Sequence, residues 1–438
     1  MTLKTDDTSY RKLGHEPALD GIRGLAVLLI VLWHYPDEIL ERPFDWLKSG
    51  HLGVDLFFVL SGFLITALML NEYNRDGKIS IRGFYRRRVL RLVPALVLFL
   101  VAHFVWALVT DIPAGFLSPG TELRSEIVSV VSALFFSINL IGYFDYSATR
   151  GIGHLWSLAV EEQFYLIWPF LTVALLSRAT FPFRCVIVIT SFLIAFAGYN
   201  YVWDGFGEFP RWGLTVAVGF MVLALLQASE RQKWEVRALA VLTALVALVL
   251  MYRMGSFVQG SYVSVVTLYG SLAARADSLI AGAALAYLWT GGNIPYRCPT
   301  AVSLAAWAVF GVFVVFFTLG EPFFFEWGWT ATALCGALIV WGALGSQDTV
   351  YGRVLTWPWL RAIGKVSYGL YLWHHLVFTA VRYWYGDESI LLKTILAVGI
   401  TAGITTASWF LLERPMLAYK SARGTGKGAQ DAAEKLIQ

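Results

Sequence analysis

Apolar runs of about twenty residues recur from residue 21 to residue 412, and this pattern leaves few architectures open. A helical run of that length matches the roughly 30 Å hydrocarbon core of a bilayer, where no water is available to satisfy an open backbone. The strongest runs fall near 21–38, 51–71, 89–110, 155–177, 184–203, 212–228, 238–252, 301–319, 329–345, 366–384 and 390–412. One more, between 262 and 289, contains Arg275 and Asp277 and reads as a re-entrant piece followed by a short helix. The segment 126–142 is apolar as well, yet a full crossing there would invert every later loop. The expected fold is therefore all-α: a polytopic transmembrane helical bundle of about 10–12 crossings, with a re-entrant or half-buried segment near 126–142.

Loop charge sets the orientation. Arg75, Lys78, Arg82, Arg86, Arg87, Arg88 and Arg91 crowd the stretch between the second and third runs, which marks that side as cytoplasmic. Arg178 with Arg184, Arg231 with Lys233 and Arg237, Arg353 with Arg361 and Lys365, and Lys420 with Arg423 and Lys427 then share it, so both termini are expected in the cytoplasm. Residues 1–16 read as a polar cytoplasmic segment without a short apolar region and small-residue cleavage site, so the first run is retained as an anchor. Residues 17–415 form one transmembrane domain, and the Gly- and Ala-rich 416–438 a disordered cytoplasmic tail. A net charge of +4 over 438 residues is too small to argue for nucleic acid. Cys185, Cys298 and Cys335 stand singly, without metal-ligand spacing, so neither a metal site nor a disulfide framework is expected.

Chemistry must then arise inside the bundle. Arg23 and His34 stand eleven residues apart in GIRGLAVLLIVLWHYP, with only apolar residues and Gly24 between them. On a helix, eleven steps return to within about 20° of the starting azimuth while climbing roughly 16 Å. One stripe thus carries a cation near one membrane face and an imidazole far above it. A guanidinium in hydrocarbon costs at least about 2.5 kcal/mol, so this geometry calls for a function.

Arg88 and Arg91, three residues apart at the mouth of the third run, share a helix face. With Arg23 they form a set of planar forks suited to a nucleotide diphosphate. For Arg75, Lys78 and Arg82, topology and contact with anionic lipid suffice. Asp55 lies near the outer end of the second run, where antiparallel packing would set it beside His34 and fix the imidazole tautomer. It shares a face with Gly62, which permits close helix approach, and Thr66. A cap at the interface is the simpler alternative for Asp55, and Ser61 lies off that face.

In HLWSLAVEEQFYLIWP, His154, Ser157, Glu161, Tyr165 and Trp168 recur at three- and four-residue spacing as a polar and aromatic stripe. Glu161 lies on it, at about the depth of His34, and is the candidate for a cavity. Glu162, turned about 100° away, is the candidate for a structural partnership. Hydrogen bonding within the bundle is the bland reading of both acids. SYGLYLWHH puts Ser367, Tyr371 and His374 on one face; Glu413 is expected to pair with cytoplasmic arginines, and Arg275 and Asp277 to be structural.

Taken in order, LDGIRGLAVLLIVLWH, GVDLFFVLSGFLI, RRRVLRLVP, HLWSLAVEEQFYLIWP, SYGLYLWHH and ERP resemble the motifs of the membrane-bound acyltransferase-3 family across residues 17–415. The family's arginine, ten residues and histidine fall on Arg23 and His34, and its paired arginines on Arg88 and Arg91. The resemblance implies O-acylation in a multi-pass protein of a bacterial-type inner or plasma membrane. An acyl group, often acetyl, would pass from cytoplasmic acyl-CoA to a hydroxyl of a carbohydrate or glycoconjugate. Acyl-CoA is then a co-substrate, and no cofactor is held permanently.

On this reading Arg23, Arg87, Arg88 and Arg91 hold the nucleotide phosphates, and His34 is the general base, its ring oriented by Asp55 or Glu161. His154, Ser157, Glu162, Tyr165, Tyr371 and His374 line the acceptor cavity. The oxyanion donor is open among Ser157, Tyr165 and a backbone N–H, and an acyl-histidine intermediate stands beside direct transfer. Some members add an extracytoplasmic hydrolase-like domain; the expectation here is the stand-alone form, with a separate acceptor-handling protein as a possible partner. A secondary transporter or flippase of a glycoconjugate or small anion uses similar residues, but it needs two alternately open routes and often duplicated halves. The chain shows no repeat and a one-sided basic mouth. A membrane scaffold would tolerate neutral replacement of Arg23, His34 and Glu161.

Overall fold

Among the residues that the computed structural model describes, 10–35, 39, 47–110, 123–144, 151–176, a scatter of positions from 238 to 253, and 262–416, every regular element is helical. The first half supplies α1 (Pro17–Tyr35), a 3₁₀ turn (Gly50–Leu52), α2 (Gly53–Asp76), α3 (Ile81–Thr110), α4 (Leu123–Leu134), α5 (Ile138–Phe144) and α6 (Trp156–Leu176). The second supplies α7 (Tyr262–Gly270), α8 (Leu272–Thr290), α9 (Thr300–Phe316), α10 (Trp329–Ala343), α11 (Val350–Leu355), α12 (Pro358–Lys365), α13 (Ser367–Tyr385) and α14 (Ile390–Ser408). Among the described residues, five helical stretches are long and apolar enough to cross a membrane: Pro17–Tyr35, Gly50–Asp76, Ile81–Val109, Gly153–Leu176 and Ile390–Met416. The chain is an all-α, polytopic integral membrane protein. The crossings expected at 184–203 and 212–228, the basic groups from Arg178 to Arg237, and the tail beyond 416 lie outside the described residues.

The apolar stretch 126–142 is split. Helix α4 has 12 residues and α5 has 7, and even the longer reaches only about 18 Å, short of a bilayer core. They join through Phe136, whose φ of 53° breaks the helix and whose carbonyl accepts from Gln163 Nε2 at 2.9 Å. The stretch 262–289 departs from expectation: its second part is not short. Ser271, in an extended conformation, separates α7 from α8, and α8 runs for 19 residues. It can run that far because its charges, Arg275 and Asp277, are neutralised within the core by other helices rather than forced out to water.

Small residues decide which helices meet. A Cβ on Gly62 of α2 would strike the carbonyl of Leu279 in α8, and a Cβ on Gly282 of α8 would strike the carbonyl of Val59 in α2. These reciprocal close approaches seat the two backbones together, as small residues do between membrane helices. In the same way Gly21 and Gly24 of α1 face the carbonyls of Leu355 and Leu360, and Gly364 faces that of Asp20. The α11–α12 corner therefore lies on the glycine face of α1, which leaves the Arg23 face to look elsewhere. Pro169 in α6 removes the N–H that would have bonded the Tyr165 carbonyl. Tyr85 of α3 donates to that oxygen at 3.3 Å and to Leu166 O at 2.8 Å, tying α3 to α6.

Candidate active site

Two spaces follow α1. The larger, about 270 Å³, lies along its N-terminal half and is walled by Arg23, Ser61, Arg88, Arg91, Ser157, Glu161, Tyr165 and Tyr371 among others, with residues 14–16 contributing. This arginine chamber holds opposed charges. Arg88 donates through Nε and Nη2 to Glu162 Oε1 at 3.1 and 2.6 Å, and its Nη2 is 3.7 Å from Glu161. Its guanidinium carbon sits 3.6 Å from the Tyr165 ring centroid, a cation–π contact that fixes the plane of the fork. Glu161 accepts from Ser61 Oγ at 2.5 Å and from Tyr165 Oη at 2.6 Å. Arg23 donates to Asp20 at 3.3 Å. Arg91 is solvent-exposed and faces the chamber without a carboxylate in ion-pair range among the described residues.

The smaller space, about 20 Å³, lies at the other end of α1 and is walled by Ile30, Trp33, His34, His51, Val54, His154, Trp156, Tyr269 and Tyr371. It has room for about one water or one small group. Ile30, Val54 and Tyr371 line both spaces, so this histidine chamber continues from the arginine chamber along a shared wall. Tyr371 is held there because its hydroxyl donates to the His154 carbonyl and accepts from Ser157 Oγ at 2.7 Å.

Geometry also assigns the tautomer of His34. Its Nδ1 is 3.0 Å from the Ile30 carbonyl, which can only accept, so Nδ1 carries the proton and Nε2 is a bare lone pair. His374 obeys the same rule: its Nδ1 donates to Leu370 O at 3.0 Å, which leaves its Nε2 to accept from His34 Nδ1 at 3.3 Å. Around them the rings pack tightly. His154 stacks on His375 at 4.9 Å between centroids, and His34 lies 5.1 Å from His374.

Asp55 is a correction to the sequence reading. It does not reach His34: with no exposed surface, its two oxygens accept from Arg275 Nη2 at 2.7 Å each, and Oδ1 also accepts from Ser278 Oγ at 2.8 Å. The Gly62 seam turns the Asp55 face of α2 onto α8, where a buried carboxylate finds the cation it needs. Thr66, on the same face, accepts from Trp168 Nε1 at 2.8 Å. Arg275 and Asp277 do not pair with each other; Asp277 accepts from Arg253 at 2.9 Å.

Glu161 faces the arginine chamber, bonded to Ser61 and Tyr165 rather than to His34. Arg87 turns away from the chamber to Glu72, 3.4 Å distant. Of the residues expected around the acceptor, Ser157 and Tyr165 line the arginine chamber, His154 the histidine chamber and Tyr371 both, while Glu162 and His374 stand one layer behind. Glu413 accepts from Ser408 Oγ at 3.2 Å and pairs with no arginine among the described residues. The sequence reading overlooked His51. The one signal for it was a histidine directly before the apolar second run.

A family described as an acyltransferase domain matches residues 16–289 and, in a second overlapping match, 212–414. A candidate peptidoglycan O-acetyltransferase of Bacillus subtilis, YrhL, is 28% identical over 93% of this chain and 56% of its own length. The peptidoglycan O-acetyltransferase OatA of Listeria monocytogenes is 27% identical over 91% of this chain and 55% of its own. The chain thus spans little more than half the length of these relatives. No solved structure matches it.

Proposed function

The chain belongs to the acyltransferase-3 family, and from that premise we propose that it is a membrane O-acetyltransferase that moves an acetyl group from cytoplasmic acetyl-CoA to a hydroxyl of an envelope glycan. The observation that carries this reading is the division of α1 between two adjoining chambers, Arg23 in one and His34 in the other. The names of YrhL and OatA support a carbohydrate acceptor of the peptidoglycan kind.

Arg23, Arg88 and Arg91 grip the phosphates of the carrier, Arg91 without a carboxylate in ion-pair range among the described residues and Arg88 pre-aimed by Glu162 and Tyr165. The narrow pantetheine arm follows the shared wall of Ile30, Val54 and Tyr371, and the thioester enters the histidine chamber. The small volume there admits a two-carbon acyl group and leaves no room for a long chain. The bare Nε2 of His34 takes the proton of the acceptor hydroxyl as its oxygen attacks the carbonyl carbon. The same proton then goes to the departing thiolate. His374 steadies the imidazolium through its bond to Nδ1, the part that a carboxylate plays in a Ser-His-Asp triad. On this reading the arginine chamber opens to the cytoplasm, the side to which the basic loop between the second and third apolar runs is assigned.

The test incubates the purified protein with labelled acetyl-CoA and an envelope glycan extract and identifies the labelled product by mass spectrometry. His34→Ala should lower transfer by about 10²- to 10⁴-fold, the usual contribution of a positioned base, with acetyl-CoA affinity largely kept. Full transfer by that variant would remove the base from the mechanism.

A further inference from the structure

Acyl transfer through a tetrahedral centre needs a donor aimed at the oxygen on which charge develops. Neither side chain considered from sequence is free for it: Ser157 is bonded to Tyr371 at 2.7 Å and Tyr165 to Glu161 at 2.6 Å. His51 is free. It is 1% exposed, both of its ring nitrogens lack a hydrogen-bond partner among the described residues, and it lines the histidine chamber with His34. An orphaned buried polar group loses its bonds to water without replacement, a loss that folded proteins mostly avoid and tolerate where a ligand completes the bonding.

The ring is also held rigidly. It packs against Trp33 at 5.3 Å, Tyr269 at 5.5 Å and Phe324 at 5.8 Å between centroids. The preceding residue but one, Ser49, donates from its backbone N–H to Val314 O at 2.9 Å and from its hydroxyl to Phe317 O at 2.6 Å. Gly50 presses the turn onto α1 beside His34; a Cβ there would come within 2.6 Å of Trp33 Cβ and 2.7 Å of Leu29 O. A donor fixed before the reaction does not have to reorganise during it, which is the property an oxyanion site requires.

We propose that His51 is a catalytic residue, its imidazole N–H donating to the acyl carbonyl oxygen while His34 handles the proton. The inference rests on the function proposed above. As the acceptor oxygen bonds to the carbonyl carbon, the π pair moves onto the carbonyl oxygen and is held by His51, and the hydroxyl proton passes to His34 Nε2. Return of that pair re-forms C=O and breaks the C–S bond, and the thiolate leaves with the proton from His34. His51 meets the acyl group rather than the sugar because the space it faces takes only a small group.

The full-length purified protein is assayed for thiol release from acetyl-CoA with glycan acceptor, and binding of labelled acetyl-CoA is measured separately. His51→Phe, which keeps a ring and loses both nitrogens, should lower kcat by about 10²- to 10³-fold with Kd within about twofold, the range found for removing one oxyanion donor. His51→Gln, which keeps an N–H, should recover at least about tenfold of that loss. If His51→Phe does not fold, His51→Leu and His51→Ala, which also lack a donor, report the same loss with smaller side chains. A second readout needs no turnover: with the methyl-ketone analogue of acetyl-CoA, in which methylene replaces sulfur, the carbonyl infrared band should lie lower in the wild type than in the His51 variants. Variants that keep more than about a third of wild-type kcat, or an unmoved carbonyl band, overturn the role of His51. Wild-type turnover by His34→Ala overturns the parent mechanism instead, and the infrared band still decides the contact of His51.

Discussion

Two sets of arginines and carboxylates lie within this bundle, and they differ in what faces them. Between α2, α8 and the residues packed on them, Arg275 with Asp55 and Arg253 with Asp277 have no exposed side-chain surface. Their carboxylates are filled: Asp277 accepts from Arg253, from Thr330 Oγ1 at 2.6 Å and from the Ser278 N–H at 3.1 Å. Around the N-terminal half of α1, Arg23, Arg88 and Arg91 instead border about 270 Å³ of space, and Arg91 has no carboxylate in ion-pair range among the described residues. The lesson is that charge inside a membrane protein marks a working site when part of its bonding capacity faces a cavity. Where the ion pair is sealed from any exposed surface and its carboxylate is filled, it marks a joint between helices.

The two sets should differ most in stability. Arg275→Leu strands Asp55 and should destabilise by about 3–5 kcal/mol, whereas Arg91→Ala should stay within about 0.5 kcal/mol of the wild type. Thermal unfolding in one detergent measures both, and equal losses would erase the distinction. Substrate kinetics sharpen it from the other side: Arg91→Ala should raise the acetyl-CoA KM about tenfold or more at unchanged kcat, as expected for one charge-assisted contact worth about 1.5–3 kcal/mol. Next comes the seam itself. Gly282→Val forces a side chain into the Val59 carbonyl and should cost about 1–3 kcal/mol in the same melts, with KM unmoved in whatever protein folds. The smallest effect is expected at Arg87, whose partially exposed bond to Glu72 lies off the chamber; Arg87→Gln should leave KM within about twofold, in line with the ~0–1 kcal/mol of surface pairs. A tenfold rise in KM there would extend the arginine site beyond the chamber walls.

Much of the bundle is legible in the chain. Apolar run length fixes the helical membrane class, and the failure of 126–142 to cross follows from loop charge alone. The azimuthal match of Arg23 and His34 needs only helix periodicity, and Glu162 as a structural partner of its neighbourhood follows from its 100° offset. Asp55 was misread because depth along a helix says how far up a residue sits, not which neighbour it meets. That neighbour was chosen by Gly62 and Gly282, whose meaning depends on which backbone comes opposite. His51 was overlooked for a related reason: a histidine with unbonded nitrogens looks, in sequence, like any other histidine at a helix start.

Periodicity and hydropathy are local properties, and from them the sequence determined the membrane helices, the stripe on α1 and the side on which basic charge collects. Helix partners are not local. The tertiary structure alone decided that Asp55 belongs to Arg275, that Glu161 looks into the arginine chamber, and that His34, His51 and His374 gather at one end of α1. Close packing through glycines is what decides it, because a missing Cβ sets which carbonyl a backbone can touch and so which face of each helix is left for chemistry.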